Sequence, residues 1–213
     1  MFLDHLNYAL PRRNAVLGTI GRLAFPIFAF QLTEGYAHTR DFNKYALRLA
    51  VFAVLSQYPF SLLMQLTHGS PNTLNIFFTL LIGLMAIRAY DTLPCKPAVA
   101  AGVLIASEIA TLIHTDYGQW GVLLIFALHV TRQNRGLQAL SLVLLTMMRY
   151  AEQTINSGKL SLTAAGIMCA AVFIFLYNGK KGPSSVWSKY LIYAFYPLHI
   201  MLIYFLHSVV AVI

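Results

Sequence analysis

Charged side chains are scarce in this sequence. Asp, Glu, Lys and Arg make up 10% of its 213 residues, whereas about 25% is usual in soluble domains. Hydrophobic residues make up 58% of the chain, and a soluble fold of this length has too little interior to bury them. The composition therefore excludes an ordinary soluble domain and predicts a protein whose surface faces lipid.

Acidic residues are the scarcest charged class, seven against 15 basic ones, which gives a formal net charge of +8. Lys and Arg lie in short clusters between apolar runs, as in cytoplasmic loops, so we expect a lipid bilayer and no nucleic acid as a partner. The two cysteines, Cys95 and Cys169, form no paired motif. The histidines have no metal-ligand spacing, and no nucleotide-binding loop or nucleophile elbow occurs, so no metal site is predicted.

Apolar stretches of about 16–25 residues recur along the chain, the length that crosses a hydrocarbon core of about 30 Å. They predict spans near residues 17–37, 45–64, 73–90, 96–113, 117–131, 136–153, 159–177 and 187–212. The first ten residues look like the last turns of one more helix, so we expect a truncated first span. The prediction for residues 1–213 is one all-α domain, a polytopic transmembrane helix bundle with about eight complete spans.

The charges of the predicted loops orient this bundle. The loops near 38–44, 88–96, 132–135 and 178–189 are basic, whereas those near 65–72 and 114–116 contain no Lys or Arg and that near 154–159 contains one, Lys159. The two kinds alternate, as the positive-inside rule predicts. We therefore expect the basic loops in the cytoplasm and the C-terminus outside it, although Arg12 and Arg13 break the pattern in the first loop.

Ionisable side chains at membrane depth are the candidates for function, because each costs at least about 2.5–3.5 kcal/mol there. His5 is the most suggestive, since a histidine can accept and return a proton near neutral pH. The adjacent carboxylate of Asp4 could raise the basicity of His5 or fix its tautomer, although neighbours on a helix do not share a face. The simpler alternative is a polar helix end that faces lipid headgroups.

Arg22 lies beside a predicted break in the second span. Pro26 removes a backbone donor one turn later, and a kinked helix with an arginine beside the break can line a polar cavity. The alternative is a structural ion pair of Arg22 with Glu34 or Glu108.

Two further sets of polar residues follow helical spacing. Arg40, Lys44 and Arg48 predict a cationic stripe, which suits a phosphate-rich ligand or anionic lipid headgroups. Asn75 and Thr79 predict a small polar face, which most often joins helices.

The remaining candidates lie further along the chain. Asp116 and Tyr117 form a short turn near a span end, where ordinary turn chemistry also explains them. Tyr196 and His199 share one side of the last span, where tyrosines usually pack or face the interface. His199 could face the same cavity as His5.

Several short motifs together resemble the TraX family. They include Leu-Asp-His at residues 3–5, Gly-Arg-Leu-Ala-Phe-Pro-Ile-Phe-Ala-Phe at 21–30, Ser-Gln-Tyr-Pro-Phe at 56–60, Asp-Tyr-Gly at 116–118 and Tyr-Pro-Leu-His at 196–199. The resemblance covers nearly the whole chain. It implies a protein of the bacterial inner membrane that acetylates the N-terminus of pilin, although many relatives come from bacteria without that pilus. The acceptor is therefore expected to be a pilin or another cell-envelope molecule.

TraX proteins in turn resemble transmembrane acyltransferases that use acetyl-CoA and an intramembrane histidine base. This likeness implies that His5 is the base, that Asp4 supports it and that Arg22 helps to hold the acyl donor. It assigns the remaining candidates to substrate binding: Arg40, Lys44, Arg48, Asn75, Thr79, Asp116, Tyr117, Tyr196 and His199. Two rival functions stay open, a proton-coupled transporter with Glu108 and His199 as relay groups and a non-catalytic subunit of a conjugation or secretion assembly.

Overall fold

The computed structural model describes residues 1–10, 12, 14–67, 70, 72–179 and 186–210. The described residues form helices α1 Phe2–Ala9, α2 Ala15–Arg22, α3 Ala24–His38, α4 Phe42–Leu66, α5 Ile76–Thr92, α6 Lys96–Leu112, α7 Gly118–Val130, α8 Arg135–Arg149, α9 Ala151–Ser157, α10 Leu162–Leu176 and α11 Val186–Val210. Across these ranges the β structure is one isolated bridge, between Leu74 and Thr115. The predicted all-α class is confirmed. Arg13 and the 180–185 part of the last basic loop lie outside the described residues.

Three of the described helical segments are long and apolar enough to cross a bilayer: Ala15–His38, Phe42–Leu66 and Tyr190–Ser208. Gly118–Val130 and Leu162–Leu176 are apolar but shorter. Each of the eight predicted stretches overlaps described helix, but residues 17–37 are divided between α2 and α3 and residues 136–153 between α8 and α9. The chain is a membrane protein, and the number of about eight spans stays a prediction.

The distribution of polar and apolar side chains is the reverse of that in a soluble protein. Trp187 is 79% exposed and Leu176 71% exposed on the outside of the bundle, whereas Thr33, Ser56 and Asn75 are fully buried. Exposed apolar patches of this extent mark a surface that another apolar phase covers. Lipid chains provide that phase for a bundle of apolar helices.

The second predicted span is broken beside Arg22. Helix α2 ends at Arg22, the Leu23 amide donates to the Ile20 carbonyl at 3.2 Å, and α3 begins at Ala24. Pro26 lies in the first turn of α3, where backbone amides have no acceptor within the helix and proline costs little. The predicted break is present and leaves Arg22 at a helix end.

The helices alternate in direction between two ends of the bundle. At the basic end, α3, α5 and α7 finish and α4, α6 and α8 begin, and Glu34 there accepts hydrogen bonds from Arg132 and Arg135. At the opposite end, called here the bridge end, the Leu74 amide donates to the His114 carbonyl and the Asp116 amide donates to the Leu74 carbonyl, both at 2.9 Å. The loop after α4 and the loop after α6 are therefore joined.

Small residues let α5 approach α7 closely. A Cβ atom on Gly83 would clash with the side chain of Ile125, and one on Gly121 would clash with Thr79. Thr79 and Gly83, four residues apart on α5, thus both serve the contact with α7, which is the ordinary use of small residues in membrane bundles.

Candidate active site

Helix α1 is short, but it is held tightly against α2. At Gly21 the two backbones approach so closely that a Cβ atom would lie 2.6 Å from the Asp4 Cβ. The Asn14 amide donates to the Asn7 side chain at 2.6 Å, and the Asn14 side chain caps α2. These contacts turn the polar face of α1, with Asp4 and His5, toward the interior of the bundle.

His5 and His199 are in direct contact. The His5 Nδ1 and the His199 Nε2 are 2.8 Å apart, the two rings are nearly parallel, and both residues are 4% exposed. The Nδ1 of His199 lies 2.6 Å from the Phe195 carbonyl oxygen. The ring of Tyr196 is 5.7 Å from the ring of His5. The last span and the first helix therefore meet at a pair of buried imidazoles, where His199 was expected only to share a cavity with His5.

Asp4 is bound to Arg22 and not to His5. Its Oδ1 lies 3.5 Å from the Arg22 Nε, and Arg22 also donates to the hydroxyl of Tyr8. Successive side chains on a helix point about 100° apart, so Asp4 faces α2 while His5 faces α11. His5 thus contacts His199 and not Asp4, and the support of His5 by Asp4 stays a prediction.

The ion pair considered for Arg22 has a different partner from those expected. Glu34 is bound by Arg132 at 3.2 Å and Arg135 at 3.1 Å, and Glu108 is exposed on α6. Arg22 instead pairs with Asp4, because the break at Leu23 leaves it at the end of the bundle opposite Glu34.

Asp116 and Tyr117 lie at the bridge end, close to Arg22. The Tyr117 ring stacks on that of Phe25 with 3.6 Å between centroids, and the Arg149 guanidinium is 5.9 Å from the Tyr117 ring. Burial raises the pKa of the Asp116 carboxyl to about 6, and the nearby Arg22 guanidinium opposes this shift. The turn that these residues form thus belongs to a polar group around Arg22.

A cavity of about 380 Å³ lies between α3, α4, α5 and α11. Glu34, His38 and Arg48 line it toward the basic end, and Phe195 and Tyr196 line it toward the histidine pair. The cavity therefore leads from the basic end to the ring that packs against His5.

Only one of the three cations expected to form a stripe lines this cavity. Arg40 precedes α4, and the Lys44 side chain is 78% exposed and pairs with Asp41. Arg48 instead turns inward, with its guanidinium 5.7 Å from the Tyr45 ring. Its buried Nε has no hydrogen-bond partner among the described residues.

The two substrate-binding candidates near the start of α5, Asn75 and Thr79, both contribute to the packing of the bundle. Asn75 caps α5, and its amide donates to the Ala53 carbonyl at 2.7 Å and to the Gln57 side chain at 2.9 Å. Thr79 packs against Gly121, and within the described part of the chain its hydroxyl has no hydrogen-bond partner.

The sequence matches the family model described as TraX protein over residues 1–207. The chain belongs to the TraX family. It is also similar to a probable fimbrial assembly protein FimC, serogroup H1, of Dichelobacter nodosus, at 29% identity over 204 residues, which cover 90% of this chain and 82% of that relative. No solved structure matches it. The resemblance drawn from the motifs is confirmed.

In this TraX chain the predicted residues fall into separate groups. His5, His199 and Tyr196 meet in the interior, Asp4 and Arg22 pair beside them, and Arg48 lines the cavity. Two groups that contact these residues, the Tyr8 side chain and the Phe195 carbonyl, were not predicted from the sequence. Tyr8 lies four residues after Asp4 on α1, a spacing that puts both on one face, so the sequence did carry that signal. No sequence signal pointed to the Phe195 carbonyl, because every residue has a backbone carbonyl.

Proposed function

We propose that this TraX protein is a membrane-embedded acyltransferase that moves an acetyl group from acetyl-CoA to an amine or hydroxyl acceptor. The observation that supports this most is a buried histidine pair that packs against Tyr196 and Phe195, two residues that line the cavity leading to the basic end. The contact between the two histidines uses the Nδ1 of His5, which leaves its Nε2 as the nitrogen that can take a proton in the proposed reaction.

The basic end suits the donor. Acetyl-CoA carries several phosphate charges, and Arg40 and Lys44 outside the cavity would attract them while Arg48 binds inside its mouth. The uncharged thioester arm then extends along the aromatic lining toward Tyr196. Donor binding at this end requires that it faces the cytoplasm of a bacterial cell, where acetyl-CoA is made. The protein is accordingly proposed to lie in the cytoplasmic membrane.

The bridge end suits the acceptor. Arg22 forms a polar group with Asp4, Tyr8 and Asp116 at that end of the bundle. The acceptor is proposed to enter there and to approach His5 from the end opposite the donor. The acceptor loses a proton to His5 as it attacks the thioester carbonyl, and Arg22, which pairs with the neighbouring Asp4, is the proposed donor to the oxyanion. The relative named as a fimbrial assembly protein makes a pilus subunit a reasonable acceptor to test first.

Two rival functions differ in their support. Glu108 is exposed on α6, whereas His199 is buried against His5, so the described residues lend nothing to a proton relay between Glu108 and His199. A non-catalytic role in pilus assembly is favoured by the name of the relative alone. An assay of acyl transfer by the purified protein distinguishes the proposed acyltransferase from an assembly subunit, because an assembly subunit has no such activity.

The first test measures donor binding by thermal unfolding in detergent. A ligand that binds only the folded state stabilises it by about 2.7 kcal/mol at a hundredfold excess over its Kd. Acetyl-CoA is expected to raise the Tm saturably, Arg48→Ala to weaken this shift, and Lys96→Ala, which removes one charge from the same end away from the cavity, to preserve it.

The second test measures transfer to the acceptor. His5→Gln is expected to retain the Tm shift with acetyl-CoA and to lose acyl transfer. No Tm shift at millimolar acetyl-CoA, or undiminished transfer by His5→Gln, would contradict the proposal.

A further inference from the structure

The hydrogen bonds of the histidine pair determine which ring nitrogen carries each proton. A carbonyl oxygen can only accept, so the His199 Nδ1 must donate to the Phe195 carbonyl across 2.6 Å. A neutral imidazole has one N–H and one acceptor nitrogen. The His199 Nε2 is therefore the acceptor, and the His5 Nδ1 must donate to it across 2.8 Å. The lone pair of neutral His5 is then on Nε2.

We propose that His199 is a positioning residue, which fixes the tautomer of His5 and leaves His5 Nε2 as the base of acyl transfer. This assignment rests on the proposed function and replaces the substrate-binding role that the sequence suggested for His199. The carbonyl of Phe195 begins the chain of hydrogen bonds, so the backbone of α11 sets the protonation of a residue on α1.

The surroundings of the pair favour one arrangement of the two rings. The pair is buried among aromatic rings, with Phe60 tilted 6.4 Å from His5 and Phe2 edge-on 6.1 Å from His199. The other tautomer of His5 would leave two unprotonated nitrogens facing each other in a site that excludes water. A buried polar atom without its hydrogen bond costs about 1–3 kcal/mol, which is enough to select one tautomer.

The fixed tautomer gives the reaction a closed proton balance. The acceptor nitrogen or oxygen forms a bond to the acyl carbon while its proton moves to His5 Nε2. The carbon–sulfur bond then breaks, and the same proton moves from Nε2 to the leaving sulfur. His5 returns to its neutral state, and no proton enters or leaves the site.

His199 contributes most while His5 carries a positive charge. The Nδ1–H of the imidazolium then donates to a neutral acceptor, and hydrogen bonds of charged donors are roughly twice as strong as neutral ones. His199 thus stabilises the charged form that exists only during transfer, without touching either substrate.

The tautomer can be observed directly by nitrogen NMR of protein labelled with ¹⁵N-histidine, at about pH 8.5, well above the ordinary histidine pKa of about 6.5. His5→Gln identifies the His5 signals by their loss. The expected spectrum has a protonated Nδ1 and a bare Nε2 for His5. His199→Gln, whose amide oxygen can accept the same bond, should keep this pattern, and His199→Phe, which keeps the ring, should lose it. A proton on Nε2 of wild-type His5, or an unchanged pattern in His199→Phe, would overturn the assignment.

Activity gives the second readout. With equal acetyl-CoA binding, His199→Phe is expected to lower kcat by about 10²–10⁴-fold, the range that acid–base groups contribute, and His199→Gln to restore it to within about tenfold of wild type. A kcat in His199→Phe equal to that of wild type would contradict the positioning role. Wild-type protein with the expected NMR pattern and no acyl transfer would refute the proposed function and leave the tautomer assignment intact.

Discussion

Two buried carboxylates of the described residues, Asp4 and Glu34, have arginine partners. Asp4 pairs with Arg22, and Glu34 is bound by two arginines at the basic end. Removing one member of such a pair leaves an uncompensated charge in a medium of low dielectric constant, which costs more than the pair contributes. The histidine pair differs, because neither ring needs a charge to be satisfied. That neutrality is what makes His5 available as a base.

Asp116 gives the first prediction at the residue scale. Its pKa is about 6 in the folded protein, against an ordinary value of about 3.9 when the chain is unfolded. Between these values the folded state binds more protons, so this carboxyl makes the free energy of unfolding decrease as the pH rises from about 4 to about 6, with no further loss above that. Asp116→Asn removes this decrease. The Tm of the variant relative to wild type should therefore rise across that interval in thermal unfolding.

Asp41 provides a control of opposite sign. Its exposed carboxylate accepts hydrogen bonds from Lys44, which lower its pKa. The stability that it contributes is present above the unfolded pKa and is lost as the pH falls toward the folded one. The Tm difference between Asp41→Asn and wild type should therefore stay almost constant from pH 4 to pH 6. A Tm difference for Asp116→Asn that is flat or falls over that interval would refute the assigned pKa.

At the scale of elements, the position of α1 determines whether there is a site. This helix has eight residues, fewer than an isolated helix needs for stability in water. Its place depends on packing against α2, α11 and α4. Gly21 makes the closest of these approaches possible, since its missing side chain leaves room for the backbone of Asp4.

Gly21→Ala tests this packing. The added Cβ would lie 2.6 Å from the Asp4 Cβ and 2.7 Å from its Cα, so α1 must move. Overpacking of this kind costs about 1–3 kcal/mol, and we expect a lower Tm together with loss of acyl transfer, because α1 carries His5. Both are measured on the purified protein.

Gly102→Ala is the matched control for Gly21→Ala. It makes the same substitution in α6, where the new Cβ meets no atom within 4 Å. Its Tm should stay unchanged or rise, since alanine favours a helix over glycine by up to about 1 kcal/mol. Equal effects of the two substitutions would show that close packing at Gly21 is unimportant.

At the scale of the whole molecule, the distribution of charge predicts an orientation in the membrane. The bundle presents apolar side chains outward and carries Arg40, Lys44, Arg88 and Lys96 at its basic end. Such an end is retained on the cytoplasmic side of a membrane. The proposed function requires the same orientation, because the donor cavity opens toward the basic end.

Cysteine labelling in intact cells measures this orientation. Cys95 is exposed at the basic end, between α5 and α6. In a Cys169→Ser background, Cys95 should react with a membrane-impermeant maleimide only after the cells are permeabilised. Ser157→Cys, made with both native cysteines replaced, places a thiol on exposed α9 beyond α8 and should react in intact cells. The reverse pattern would invert the proposed topology and remove the donor site from the cytoplasm.

The sequence by itself determined the features that depend on local composition. The apolar runs predicted each long helix, and the alternation of basic loops with loops poor in Lys and Arg predicted which ends lie together. The break beside Arg22 followed from the proline four residues later. Its short motifs were also enough to assign the family. Each of these signals comes from residues close together in the chain.

The tertiary structure alone decided which side chains meet. His5 contacts His199 across 194 positions of sequence, Asp4 turns to Arg22, and Arg48 faces the cavity while Lys44 faces outward. Asn75 is used to cap α5 and to hold α4. These outcomes depend on how each helix is rotated about its axis and on which helix lies beside it. Helices that are apolar on most faces have weak amphipathic patterns, so composition tells little about that rotation, and the packing of small residues such as Gly21 and Gly83 sets it.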